Sequence, residues 1–454
     1  MAASLAAYRN FLFERVDNSP LIVFRMVFGL LIFLESGGAI LTGWVKETFI
    51  DPTIHFTFIG FEWLRPLPGY GMHGYYALMA VLGLMVMLGL FYRFSIVGFT
   101  LLWWASYLMQ KDHYNNHYYL LILLCLLMMV VPAHHYASLD TKRNPSIRQL
   151  TCSRWCIWIF ILQFWIVFTY AAIAKMQPDW MNALPVGLWF SYKTDYPIIG
   201  PLLGTSWIKW VVAYGGILFD FLVIPLLIWK RTRLLALAMA IVFHLFNSAV
   251  FQIGIFPYLM IGASVFFFPG ETIRRLFLRR KPVAVKEPSI QPISVSFQNG
   301  LILLFSVYFI LQILLPLRHL LYPGDVNWTE EGHRMSWRMM LRSKAGSISF
   351  TIKDPASDKS WEINPSEYLT DEQISSLSTH PDMVWQFVQY LKKKYAAEGI
   401  PQIEVYAHSL ASLNGRPFQP FIDENVDLAK VDWAHFSPSI WILPLQTEDQ
   451  QANK

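Results

Sequence analysis

Between residues 20 and 317 the chain repeats one pattern, apolar runs of about 20 residues separated by short polar loops, and that is the length a helix needs to cross the hydrocarbon core of a bilayer. Lipid offers no hydrogen-bond partners, so such a run satisfies its backbone internally and folds as a helix. Candidate spans fall near 20–42, 75–92, 94–112, 116–133, 155–175, 208–229, 234–251, 253–270 and 298–317, about nine in all. The 253–270 run carries Gly254, Pro257 and Gly262, which predict a broken or re-entrant segment. Only 15% of residues are charged, against roughly 25% in soluble domains, and this excludes a water-soluble fold.

From residue 318 the pattern changes to that of ordinary soluble protein. GSISFTI (346–352) and QIEVYAHSLASL (402–413) predict strands, and PDMVWQFVQYLKKKY (381–395) has the spacing of an amphipathic helix. The expected fold is therefore mainly α: a polytopic transmembrane helical bundle over 1–317 and a C-terminal extracytoplasmic α+β domain over 318–454. Pro282, Pro288 and Pro292 mark a linker at 283–297. The polar, aromatic stretch 44–74 is expected to lie along the interface or cap the bundle. The N-terminal residues do not read as a cleavable signal, because the apolar run after Arg9 and Arg15 is too long.

With a cytoplasmic N-terminus, the inner loops collect Arg9, Arg15, Arg93, Lys142, Arg143, Arg148, Arg154, Lys230, Arg231, Arg233 and the basic cluster from Arg274 to Lys281. The outer loops hold Lys46, Arg65, Lys111 and Lys193. An excess of about four to one is the positive-inside signature, and an odd number of spans then puts the C-terminal domain outside. The expected location is a bacterial inner membrane, or the endoplasmic reticulum membrane in a eukaryotic host. The net charge of +5 sits mainly in these loops, so it reports topology and implies no nucleic acid. Cys125, Cys152 and Cys156 form neither a disulfide framework nor a metal-binding CxxC.

Polar groups inside or at the ends of spans need a reason. NNHYYL (115–120) and FTYAAIAKMQPDW (168–180) bring Asn116, His117 and Lys175 to one depth at the outer side. A terminal Lys ordinarily snorkels to the headgroups, and Asn115 and Asn116 suit a helix cap. Glu35 and Asp220 are expected to pair with Arg25 or another buried donor, or to act directly. For His244, with Asn247 and Ser248, interhelical hydrogen bonding is the default.

The segments RMVFGLL (25–31), WLRPLP (63–68), MLGLFYR (87–93), NNHYYL, HHYASLD (134–140), IAKMQPDW (173–180), FHLFNSAVFQIGIFPYLM (243–260), SWRMML (336–341) and SLNGRPFQPFIDENVDL (412–428) occur in an order and spacing that resembles the vitamin K-dependent gamma-glutamyl carboxylases and their bacterial relatives. The resemblance implies that Lys175 is the catalytic lysine and His117 the active-site histidine, preceded by Asn116. It implies quinone and glutamate handling by the strip that holds His333, Trp337, Arg338, Met339, Met340 and Arg342, with His244 and Asn247 added to the quinone-binding set. Arg338 stands where the animal enzymes carry an acid, so substrate recognition is expected to differ.

The implied reaction removes the γ-proton of a peptidyl glutamate and adds CO2, coupled to oxygenation of vitamin K hydroquinone, or a menaquinol-like quinol, to its epoxide. It uses O2 and CO2 and no metal, and it implies as partners the lipid bilayer, a glutamate-containing peptide or protein, and a quinone reductase that recycles the epoxide. Ionising a phenol at neutral pH costs about 4 kcal/mol; a desolvated, neutral Lys175 is expected to offset this by taking the proton, with His117 and Asn116 stabilising the oxyanion. Arg334, Arg338 or Arg342 is expected to hold the glutamate carboxylate, unless these are solvated surface charges. The alternatives are quinone oxygenation without protein carboxylation, and a quinone-binding membrane protein or transporter that kept the scaffold.

Overall fold

A computed structural model describes residues 2–283 and 294–446; residues 284–293 of the expected linker lie outside the described residues. The apolar runs fold into α1 (Ser19–Leu41), α2 (Gly71–Leu88), α3 (Tyr92–Met109), α4 (Asn116–Val130), α5 (Trp155–Lys175), α6 (Ile208–Ile228), α7 (Arg233–Phe251), α8 (Phe256–Ala263) and α9 (Val295–Leu314). Among the described residues, α1, α2, α5, α6, α7 and α9 are long and apolar enough to cross a membrane. Six candidate spans thus stand on length and composition, and the expected count of nine is not confirmed. The three others fall short for separate reasons. Helix α3 carries Arg93, Ser95, Thr100 and Ser106, α4 has 15 residues, and α8 has 8 before it tightens into a 3-10 turn ending at Phe267, after the break foreseen around Gly254 and Pro257.

Small residues let the helices approach closely, the usual device where lipid supplies no hydrophobic drive for association. A Cβ on Gly29 of α1 would run into the backbone of Met87 in α2, and one on Gly83 would meet the backbone of Phe33. Arg25 is fully buried in α1 and donates from Nη2 to the Ala137 carbonyl at 2.7 Å. Its partner is thus a carbonyl and neither Glu35 nor Asp220. Glu35 instead faces the Tyr118 hydroxyl.

The C-terminal region forms a four-stranded antiparallel sheet from β1 (Lys344–Asp354), β2 (Lys359–Ile363), β3 (Glu404–Leu413) and β4 (Gln419–Pro420), in the order β2-β1-β3-β4. The central pair β1 and β3 runs in register from Lys344↔Leu413 to Lys353↔Glu404. Helix α10 (Pro381–Ala397) buries Met383, Val384, Phe387 and Leu391 in the same core as Phe350, Ile352 and Val405 from the sheet. Both strands and this helix match the sequence expectation to within a few residues.

The stretch 44–74 does more than cap the bundle. Ile54 and Phe56 belong to the second core, and Gln373 and Gln386 donate to the carbonyls of Ile54 and Thr57 at 2.8 and 3.0 Å. A second tie joins the two regions beyond α5. Asp179 accepts from Asn414 at 2.6 Å and from Arg416 at 2.7 and 2.6 Å.

Candidate active site

Helix α5 ends at Lys175, and α6, packed along it, brings Asp220 to the same height. Lys175 Nζ lies 2.7 Å from Asp220 Oδ2, with both side chains buried. The amine does not snorkel as a terminal lysine ordinarily does but is sheltered as the family resemblance implies, at 8% exposure, and it is not alone. The Asp220 carboxylate makes it one half of a buried ion pair. The pair faces a pocket walled by Phe168, Trp180, Trp189, Phe243, Phe251 and Phe256, and the Nζ sits 5.4 Å from the Trp180 ring centre.

His117 and His244 close this pocket from the neighbouring helices. The Asn115 side chain caps α4 by accepting from the Tyr118 N–H at 2.8 Å, which fixes His117 in the first turn with its ring centre 4.1 Å from that of Phe256. His244 meets Phe219 and Phe256 edge-on at 5.8 and 6.0 Å, and its buried Nδ1 has no hydrogen-bond partner among the described residues. The interhelical hydrogen bond expected of His244 is therefore not formed through that atom; aromatic rings surround it. Asn247 also lines the pocket, while Ser248 bonds to Tyr258.

Asn116 lies outside the pocket. Its Oδ1 accepts from Tyr114 at 3.0 Å and its Nδ2 donates to the Arg338 carbonyl at 3.3 Å, so its amide holds the strip that roofs the site. That strip is conformationally demanding. Met335, Trp337 and Met340 have φ of 61°, 57° and 49°, a left-handed conformation that side-chain-bearing residues adopt at an energetic cost and that clusters at functional sites. Trp337 is fully buried in the bundle core, 5.0 Å from Tyr119, and acts as the anchor of the strip without lining the pocket. Gln177 secures its other end by donating to the Leu341 carbonyl at 3.3 Å. Met339 and Met340 line the aromatic pocket on one side and a polar chamber on the other.

The chamber, of about 340 Å³, lies between the bundle and the C-terminal region and holds His333, Arg334, Arg338, Arg342, Lys111, Lys344, Glu330 and Asp112. Asp382 bridges Lys111 and Arg334 at 2.7 and 2.6 Å. Burial would raise its carboxyl, but the two cations outweigh that and hold it well below the usual range. Arg342 clasps Glu330 with two donors. Burial pulls the Lys344 amine down to about 7, against the opposing pull of Glu330, and burial together with Arg342 holds His333 well below its usual value.

Two family models match these regions: the HTTM domain over residues 13–271, and the vitamin K-dependent gamma-carboxylase lumenal domain over residues 297–448. The chain belongs to the vitamin K-dependent gamma-carboxylase family. No solved structure matches it. Its function is of the vitamin K-dependent carboxylase type, and its apolar helices make it an integral membrane protein. In this carboxylase-family chain the two matched regions meet at the site, the first supplying Lys175, Asp220, His117 and His244 and the second Met339 and Met340.

Several residues of the site escaped the sequence reading. The Lys175–Asp220 pairing, and the ion pairs of Asp382 and Glu330, join segments far apart in the chain and leave no local signal. Asn327, which begins an Asn-Trp-Thr glycosylation sequon, is 1% exposed and donates to Gln177 at 2.6 Å. Its burial removes it as a glycan acceptor.

Proposed function

We propose that this protein is a vitamin K hydroquinone-dependent gamma-glutamyl carboxylase that couples quinol epoxidation to CO2 addition at peptidyl glutamate, with its C-terminal domain on the extracytoplasmic side. The observation that carries the reading is the buried Lys175–Asp220 pair in an aromatic pocket, parted from a cationic chamber by Met339, Met340 and His117. Flat aromatic walls and the unpartnered His244 Nδ1 suit a quinol ring with polar groups at its edge. When bound, the quinol supplies through its reaction with O2 the strong base that a γ C–H requires. The protein's own task is to take one proton from a bound hydroxyl and keep water out. Lys175 and Asp220 act there as one acceptor: the proton resides on the pair, Nζ stays an ammonium, and its charge lies beside the oxygen that lost the proton. His117 lines both pocket and chamber and orients that oxygen. Asn116 acts through the strip it holds.

The test is fixation of labelled CO2 into a glutamate-containing peptide with reduced vitamin K. The intact protein incorporates label, and Lys175→Ala, with an unchanged thermal transition, incorporates none. Full activity in Lys175→Ala would reject Lys175 as the acceptor.

A further inference from the structure

Around the polar chamber stand five cationic side chains, Lys111, Arg334, Arg338, Arg342 and Lys344, against three carboxylates, Asp112, Glu330 and Asp382. The surplus is positive even with every acid ionised, so the chamber suits an anion. Four of the cations are already engaged. Lys111 and Arg334 share Asp382. Arg342 closes on Glu330, and Lys344 donates to the carbonyls of Trp328 and Thr379, at 2.5 and 2.7 Å, with Glu330 3.7 Å away.

Arg338 differs from the other four. It is 9% exposed, and among the described residues it forms no ion pair. Its Nη2 donates to the neutral amide oxygens of Gln177 and Asn327 at 3.2 and 3.0 Å, and its Nε is buried with no hydrogen-bond partner. The guanidinium is thus fixed in direction by neutral groups, while Asp325 and Glu330 act on its charge only from beyond ion-pair distance. A buried cation without a counterion is unfavourable, and a carboxylate entering the chamber would relieve it with charge-assisted hydrogen bonds.

We propose that Arg338 is the counterion of the substrate glutamate's γ-carboxylate, and that Gln177 and Asn327 are positioning residues that hold it open for that role. The inference rests on the carboxylase reading. Arg338 lines the chamber and precedes Met339, which lines both chamber and pocket, so a carboxylate bound to it lies in the chamber that adjoins the pocket. When the γ C–H bond breaks, the electron pair left on carbon delocalises onto the carboxylate oxygens. A guanidinium on those oxygens therefore binds the developing dianion more strongly than the ground state.

The experiment measures, on the full chain in nanodiscs, binding of a fluorescent glutamate peptide and its glutamine analogue, alongside CO2 fixation. Arg338→Gln is expected to weaken glutamate-peptide binding by about tenfold to a hundredfold and to leave glutamine-peptide binding unchanged; Arg338→Lys recovers part of the loss. Asn327→Asp, nearly isosteric, places a competing carboxylate against Arg338 and produces the same selective loss without removing it. If the wild type fixes CO2 and Arg338→Gln binds the glutamate peptide normally, the inference falls and the carboxylase reading stands. If the wild type prefers glutamate through Arg338 yet fixes no CO2, the carboxylase reading falls and the binding role stands. If the wild type neither prefers glutamate nor fixes CO2, both fall.

Discussion

The aromatic pocket and the polar chamber lie back to back across Met339 and Met340, and they handle buried charge in opposite ways. The pocket isolates one ion pair, Lys175–Asp220, among rings. The chamber ties its charges into a network, with Asp382 shared by two cations and Glu330 by two more. An isolated pair in apolar surroundings leaves its proton free to be rearranged by whatever binds beside it. A multiply bonded carboxylate has its charge fixed and serves to join segments: Lys111 comes from the loop before α4, Arg334 from the roofing strip and Asp382 from α10.

This contrast can be broken most directly at Asp382. Replacing it with Ala leaves Lys111 and Arg334 buried without a counterion, and thermal unfolding should register a loss of about 3–5 kcal/mol. The docked outer domain would then be the part to loosen, detectable as faster proteolysis between the two regions. An unchanged transition would mean that the network holds nothing together.

Asp220→Asn should behave differently. The amide still accepts a hydrogen bond from Lys175 but no longer shares its proton, so turnover is expected to fall about 100-fold or more with a smaller change in stability. A variant that lost stability and kept its rate would make Asp220 a structural partner and erase the distinction drawn above.

The smallest effect concerns pH. The folded Lys344 amine is pulled down to about 7, whereas an unfolded lysine titrates near 10.4. Between these values the unfolded chain binds more protons, so this group makes stability rise as pH increases through that window. Asp382 acts at the acid end, because its folded carboxyl is depressed. Its contribution is present above the unfolded value of about 3.9 and is lost as pH falls toward the folded one. Urea titrations across both windows should show Lys344→Met flattening the alkaline slope alone.

Much of this site was legible residue by residue. Lys175 and His117 share one pocket as their common depth suggested, and the tail's strands and helix lie where alternation and 3.6-residue spacing put them. The span count was less legible, since hydropathy does not distinguish a short buried helix such as α4, walled by neighbours, from one that meets lipid. Asn116 and Trp337 were legible as members of the site but not in kind: one clips the roofing strip by its amide and the other anchors it in the bundle core.

The sequence by itself determined that this chain is a helical membrane bundle with a mixed C-terminal region, because the length of an apolar run and the period of a pattern are local properties. It also singled out Lys175 and the SWRMML strip. Only the tertiary structure decided that the lysine has Asp220 as its partner, 45 positions away, that Arg338 is, among the described residues, the chamber cation without an ion pair, and that the residues 44–74 strap the two regions together. Those are contacts between distant segments, set by which helices pack side by side, and nothing in either segment alone encodes its neighbour.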